Sequence, residues 1–153
     1  MIVLKGHNNF WPLKPRLLFF RKSLIYQFKI GAEWFTDDLT EPDRYGLKLP
    51  AVGRFNYHHQ GANWAIVHEQ GKCYVYPRYY LNGLHELTEL KREVEPDTWY
   101  TVQTRFNPLS FFLDGDLIFY QPDLIIPTGW KTPPYLGKRK VAVAKRKLKL
   151  SIL

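Results

Sequence analysis

The chain predicts an all-β fold, a two-sheet antiparallel β-sandwich, on three observations: apolar residues alternate with period two, turn dipeptides separate the strand-like runs, and a helical period is almost absent. At 153 residues it is about one domain long, enough to bury a core without a covalent staple. A composition of 45% hydrophobic and 16% aromatic residues excludes the disordered class. The lone Cys73 has no partner for an intramolecular disulfide, so neither a redox nor a metal framework is implied.

The first strand signal is Leu24, Tyr26, Phe28 and Ile30, which alternate with Ile25, Gln27 and Lys29. That pattern suits a strand with one face on a core and the other toward water. The segments 62–68, 72–81, 98–106 and 117–120 are rich in Tyr, Trp, Val, Ile and Thr, which fit a half-buried pleated surface. The last strand signal is Leu148, Leu150 and Ile152 against Lys147, Lys149 and Ser151.

Asn82-Gly83 and Asp114-Gly115 each separate two apolar runs, and both dipeptides tolerate the positive φ of two-residue hairpin turns. Most of the eleven prolines fall between strand signals; Pro77 instead interrupts the run 73–81 and predicts an edge strand or a bulge there. Residues 86–92 read equally well as one helical turn or as strand and loop. No internal repeat, low-complexity tract or linker appears, so residues 1–153 read as a single domain.

The N-terminus shows no charged segment followed by an apolar run and a cleavage site, and no apolar stretch approaches the roughly 20 residues of a membrane-spanning helix. The expectation is a soluble chain made in the cytoplasm, with a virion as a further destination.

Charge is distributed unevenly. Residues 1–30 and 124–153 hold only bases, with balances of +6 and +8, whereas residues 31–123 balance at −6. First and last strands often lie side by side in a sandwich, which would gather both basic ends at one pole. Such a pole, with Lys138, Arg139, Lys140, Lys145, Arg146, Lys147 and Lys149, suits an acidic partner in a salt-dependent way. A Lys-rich strand face also protects an edge from pairing, and the aromatic interleaving of single-strand binders is missing, so nucleic acid is disfavoured.

A resemblance emerges from the order of short motifs: Asn56-Tyr57-His58-His59, a strand around Trp64, the aromatic hairpin 74–83, Thr98-Trp99-Tyr100-Thr101, Leu113-Asp114-Gly115-Asp116, and Pro134-Tyr135-Leu136-Gly137 before a closing strand. From about Ile25 to Leu153 this order resembles the concanavalin A-like lectin/glucanase superfamily, including laminin-G-like jelly rolls. The resemblance implies two packed antiparallel sheets. Its motifs are packing and turn signatures, not chemical ones.

Several residues carry candidate chemistry. His58 and His59, with Tyr57, Arg54 and the downstream Arg78, offer the base and carboxylate-neutralising cation by which jelly-roll polysaccharide lyases resemble one another. Adjacent strand residues point to opposite faces, so only one of the two histidines can serve a groove, and an ordinary surface or core histidine is the plainer reading. No acid or Cys sits at a spacing that closes a tetrahedral metal site, and Asp114-Gly115-Asp116 reads as a turn. The acids cluster at 33–43 and 86–97 instead of alternating along a core strand, which disfavours glycoside hydrolysis. Trp64, Tyr74, Tyr76, Tyr79, Tyr80, Trp99 and Tyr100 serve either a core or a sugar-stacking platform. Along strand 72–80 the phase of Tyr74, Tyr76, Arg78 and Tyr80 includes a charge, which marks it as the exposed, ligand-binding phase.

Together these readings point to a non-enzymatic, lectin-like sandwich without cofactor or metal. It would act as a structural or attachment component of a larger assembly, for example a phage capsid or tail protein, with a protein partner or copies of itself and a glycan as ligand. The alternatives are a free carbohydrate-binding module and a polysaccharide lyase acting on an acidic glycan.

Overall fold

The computed structural model describes residues 2–3, 16–17, 22–32, 35, 45–53, 60–69, 71–87, 90–127, 130–132, 135–136 and 146–152. Among these residues fourteen strands follow one another: β1 (Ile2–Val3), β2 (Arg16–Leu17), β3 (Ser23–Ile30), β4 (Tyr45–Gly53), β5 (Gln60–Glu69), β6 (Lys72–Leu81), β7 (Leu84–Leu87), β8 (Arg92–Val94), β9 (Tyr100–Phe106), β10 (Leu109–Leu113), β11 (Asp116–Gln121), β12 (Trp130–Thr132), β13 (Tyr135–Leu136) and β14 (Arg146–Ile152). No α-helix occurs among the described residues.

The strands form two antiparallel sheets. The small sheet has the order β1-β14-β3-β9-β10-β11, and the large sheet has the order β2-β12-β4-β5-β6-β7, with β13 added on β4 and β8 on β6. The predicted two-sheet sandwich is therefore the observed architecture.

Period-two patterning explains why the sheets pack. Leu24, Tyr26, Phe28 and Ile30 of β3 are buried, while the intervening residues are only partly so. Ala62, Trp64 and Ile66 of β5 and Cys73 and Val75 of β6 meet Val102 and Phe106 of β9 and Leu109 and Phe111 of β10 in one core. The Trp64 ring stands edge-on to Phe111, with centroids 5.4 Å apart and an interplanar angle of 85°, and so joins the two sheets. After β11 the chain folds back: Leu109 N donates to Leu124 O at 2.7 Å and Ile126 N to Phe106 O at 2.9 Å, which places Leu124 and Ile126 in the same core.

Turn chemistry sets the registers. Asn82 and Gly83 adopt φ of 51° and 80° between β6 and β7, and Asp114 and Gly115 adopt 49° and 95° between β10 and β11, the left-handed pairs that two-residue hairpins need. Asp114 Oδ1 also accepts a 2.6 Å hydrogen bond from Thr101 N, tying the second hairpin to β9.

Pro77 does not lie on an edge strand. β6 is paired along its whole length with β5, without a register shift. On the other side β8 pairs with Cys73–Val75 and β7 with Arg78–Leu81, so among the described residues Pro77 falls between the two ladders. A bulge does occur at a different proline: the β4–β5 register shifts between Lys48 and Ala51, around Pro50. Of the two readings for residues 86–92, the strands hold, since Glu86 lies in β7 and Arg92 opens β8.

The first and last strands do lie side by side. β1 pairs with β14 through Ile2 opposite Lys147 and Val3 opposite Arg146.

Candidate functional site

Register and parity determine what lies on the outer face of the large sheet. On β5 the residues out of phase with Trp64 are Gly61, Asn63, Ala65, Val67 and Glu69; they stand opposite Tyr80, Arg78, Tyr76, Tyr74 and Lys72 of β6. Lys48 of β4 stands opposite Ala65, which puts it on the same face. His85 and Leu87 of β7 hold the register positions beside Tyr80 and Arg78, and Tyr135 of β13 the one beside Lys48.

The phase of Tyr74, Tyr76, Arg78 and Tyr80 thus points away from the main core, as its sequence predicts. Its exposure differs from the expectation: Tyr76, Arg78 and Tyr80 retain only 9%, 8% and 5% of their accessible surface, and only Tyr74 is half-buried. The cause is local. Gly61 and Ala65 leave room across the strand, Tyr76 packs on Ala65 and Val67, and Arg78 lies against the Tyr80 ring with its guanidinium carbon 5.4 Å from the centroid. Long side chains laid against their own sheet shield one another.

Two cations converge on one hydroxyl. Arg78 Nη2 donates to the Tyr80 phenolic oxygen at 2.6 Å, and Lys48 Nζ donates to the same oxygen at 3.2 Å. Lys48 also lies 5.8 Å from the Tyr80 ring centroid. Burial lowers the Lys48 pKa from its usual 10.5, the Arg78 charge lowers it further, and Tyr80 opposes both. Burial likewise raises the Tyr76 pKa above 10.0.

The cluster holds unmet hydrogen-bonding capacity. Among the described residues, Arg78 Nε has no hydrogen-bond partner and no carboxylate lies within ion-pair distance of the guanidinium. Asn63, directly opposite Arg78 and 1% exposed, donates Nδ2 to Trp64 O at 2.8 Å, while its Oδ1 has no partner among the described residues. Among the described residues, the acids on this face sit near its other end: Glu69 pairs with Lys91 at 2.7 Å and Glu93 with Lys72 at 3.0 Å.

Of the residues singled out in the sequence, the structure brings Tyr76, Arg78 and Tyr80 together and sets Tyr74 beside Tyr76. Trp64 and Tyr79 pack in the core instead. Tyr100 stacks on Phe28 at 5.5 Å, and Trp99, 44% exposed, lies on the small sheet with Lys29 Nζ 5.5 Å from its ring. Arg54, Tyr57, His58 and His59 fall outside the described residues, as do Lys138, Arg139, Lys140 and Lys145. Lys149 is exposed and stands opposite Lys29. Lys48 and Asn63 escaped the sequence reading. Their signal was parity: Asn63 is out of phase with Trp64, and Lys48 alternates with Leu47 and Leu49 ahead of Pro50.

No protein-family model matches the chain, and no curated protein sequence does. What fold and site define is a two-sheet antiparallel β-sandwich whose large sheet carries a shielded cationic and aromatic cluster on its outer face. Among the described residues, no helix is long and apolar enough to cross a membrane.

Proposed function

We propose that this chain is a non-catalytic, lectin-like sandwich that engages a glycan through the outer face of its large sheet and serves as an attachment component of a larger assembly, such as a virion. The observation that supports the binding role is Arg78, nine-tenths buried, its Nε without a partner among the described residues, set between two tyrosines and beside a second cation. A buried guanidinium with unmet donors is costly unless a ligand completes it. For the assembly role, the support is the pairing of β1 with β14, which sets the Arg146 and Lys147 positions beside the N-terminal strand.

Affinity electrophoresis through gels containing neutral and acidic polysaccharides tests the binding role. Retardation that persists at about 0.15 M salt, where exposed charges are largely screened beyond about 8 Å, is the expected result. Migration unchanged by every polysaccharide would refute it. For the assembly role, the protein recovered from its native source is expected in a multimer or with a tight protein partner, and a lone monomer there would refute it.

A second reading rests on the Arg78–Tyr80 contact. A polysaccharide lyase needs a cation on the uronate carboxylate and a nearby base, and this pair supplies both residue types at 2.6 Å. Unsaturated uronate absorbance appearing in the same polysaccharides would replace the non-catalytic reading with this one.

A further inference from the structure

Resting on the glycan-binding reading, we infer that the cluster of Lys48, Arg78 and Tyr80 is a carboxylate site, and that the ligand of this sheet face is a uronic-acid glycan. The guanidinium is the centre of the argument. Its Nη2 has two hydrogens and donates one to Tyr80, while Nε–H has no acceptor among the described residues. An Nε–H beside an Nη2–H is the edge that a planar carboxylate accepts with both oxygens.

The electrostatics agree. Lys48 and Arg78 are like charges that share an acceptor in Tyr80. A carboxylate brought to the buried Nε–H would meet an unused donor and place a negative charge beside both cations. Half-buried Lys48 is the more accessible of the two cations.

The surroundings favour a sugar acid over an acidic peptide. Tyr76 and Tyr80 lie on either side of Arg78 on one strand face, each about 6.7 Å along β6, so that flat rings border the cation. Flat rings suit the C–H face of a pyranose, and Tyr76 and Tyr80, 9% and 5% exposed, would offer theirs only as a ligand displaces the side chains that shield them. A peptide commonly docks on a sheet by adding a strand to an open edge, whereas β6 already has β5 on one side and β7 and β8 on the other.

Calorimetric titration with de-esterified polygalacturonate and with its fully methyl-esterified form separates the carboxylate from the ring. The acid form is expected to bind, and methylation to abolish the binding. Arg78→Lys, which keeps the charge but loses the planar fork, is expected to weaken binding by about tenfold or more. Lys48→Met, whose circular dichroism should match that of the parent, is expected to weaken it several-fold while leaving Arg78 in place. Equal binding of acid and ester would overturn the carboxylate site yet leave the glycan reading standing; binding of neither would overturn the carboxylate site, and the glycan reading with it where no polysaccharide retards the protein. Polyglutamate bound in place of polygalacturonate would make the partner an acidic protein. Dextran sulfate held as tightly as polygalacturonate would reduce the site to unselective charge. Either result overturns the inference.

Discussion

Arg78 and Tyr80 sit two residues apart on one strand, and the guanidinium both lies against the phenol ring and donates a 2.6 Å hydrogen bond to its oxygen. Removing that oxygen leaves a shielded cation short of an acceptor. Tyr80→Phe is therefore expected to lower stability by about 1–3 kcal/mol. Tyr74→Phe, at a half-buried site, is expected to change it by less than about 0.5 kcal/mol. Urea denaturation of both variants checks the contrast, and equal effects would show that the Tyr80 oxygen does not support Arg78.

Both sheets were legible wherever parity and turn residues agreed. Residues 72–81 form β6 at the predicted bounds, and both Gly-containing hairpins close where their dipeptides stand. Pro77 misled because proline reports a missing donor, not the number of neighbouring strands; the fold accommodates it between the β8 and β7 ladders. Shielding was illegible for a related reason. An arginine in the outward phase reads as exposed, yet its burial depends on Gly61 and Ala65 across the strand and on Lys48 from β4, a pairing no local pattern encodes. Pro50 further concealed β4, since a proline beside Leu47 and Leu49 reads as a boundary until the bulge is seen.

Trp64 and Phe111 carry the contact between the sheets, and both are fully buried. Trp64→Ala is expected to cost about 3–5 kcal/mol, the range for deleting a large buried aromatic. A double-mutant cycle with Trp64→Leu and Phe111→Leu is expected to show a coupling of about 0.5–1.5 kcal/mol from the edge-on geometry. Strict additivity of the two substitutions would mean that the rings merely fill space.

Tyr26 is 1% exposed, and its hydroxyl has no partner among the described residues. Burial raises its pKa well above 10.0, so the folded protein keeps this proton where the unfolded chain loses it. Above pH 10.0 the unfolded state then binds fewer protons than the native state, and stability falls as pH rises toward the folded-state pKa. Tyr76, with its pKa raised by burial, adds to the same loss. Tyr26→Phe removes one of the two titrations and an unmet hydroxyl together. It is expected to be neutral or stabilising at pH 7 and to flatten the alkaline decline in a series of urea melts. An unaltered slope would show that Tyr26 ionises as readily in the fold as outside it.

The Asp114-Gly115 hairpin belongs to the small sheet and separates fold from binding. Gly115 sits at φ +95°, with nothing within 4 Å of the position a Cβ would take. The cost of Gly115→Ala is therefore backbone strain without a clash, about 1–2 kcal/mol for a side chain forced into the left-handed region. Asp114→Ala loses the 2.6 Å bond to Thr101 N and places a residue of lower left-handed tolerance at φ 49°, with a similar expected loss. Thermal melts measure both. Because β6 and β4 lie in the other sheet, neither variant should weaken polygalacturonate binding at a temperature where it remains folded. A variant that stays folded yet loses affinity would place the ligand contacts on the small sheet, away from Arg78.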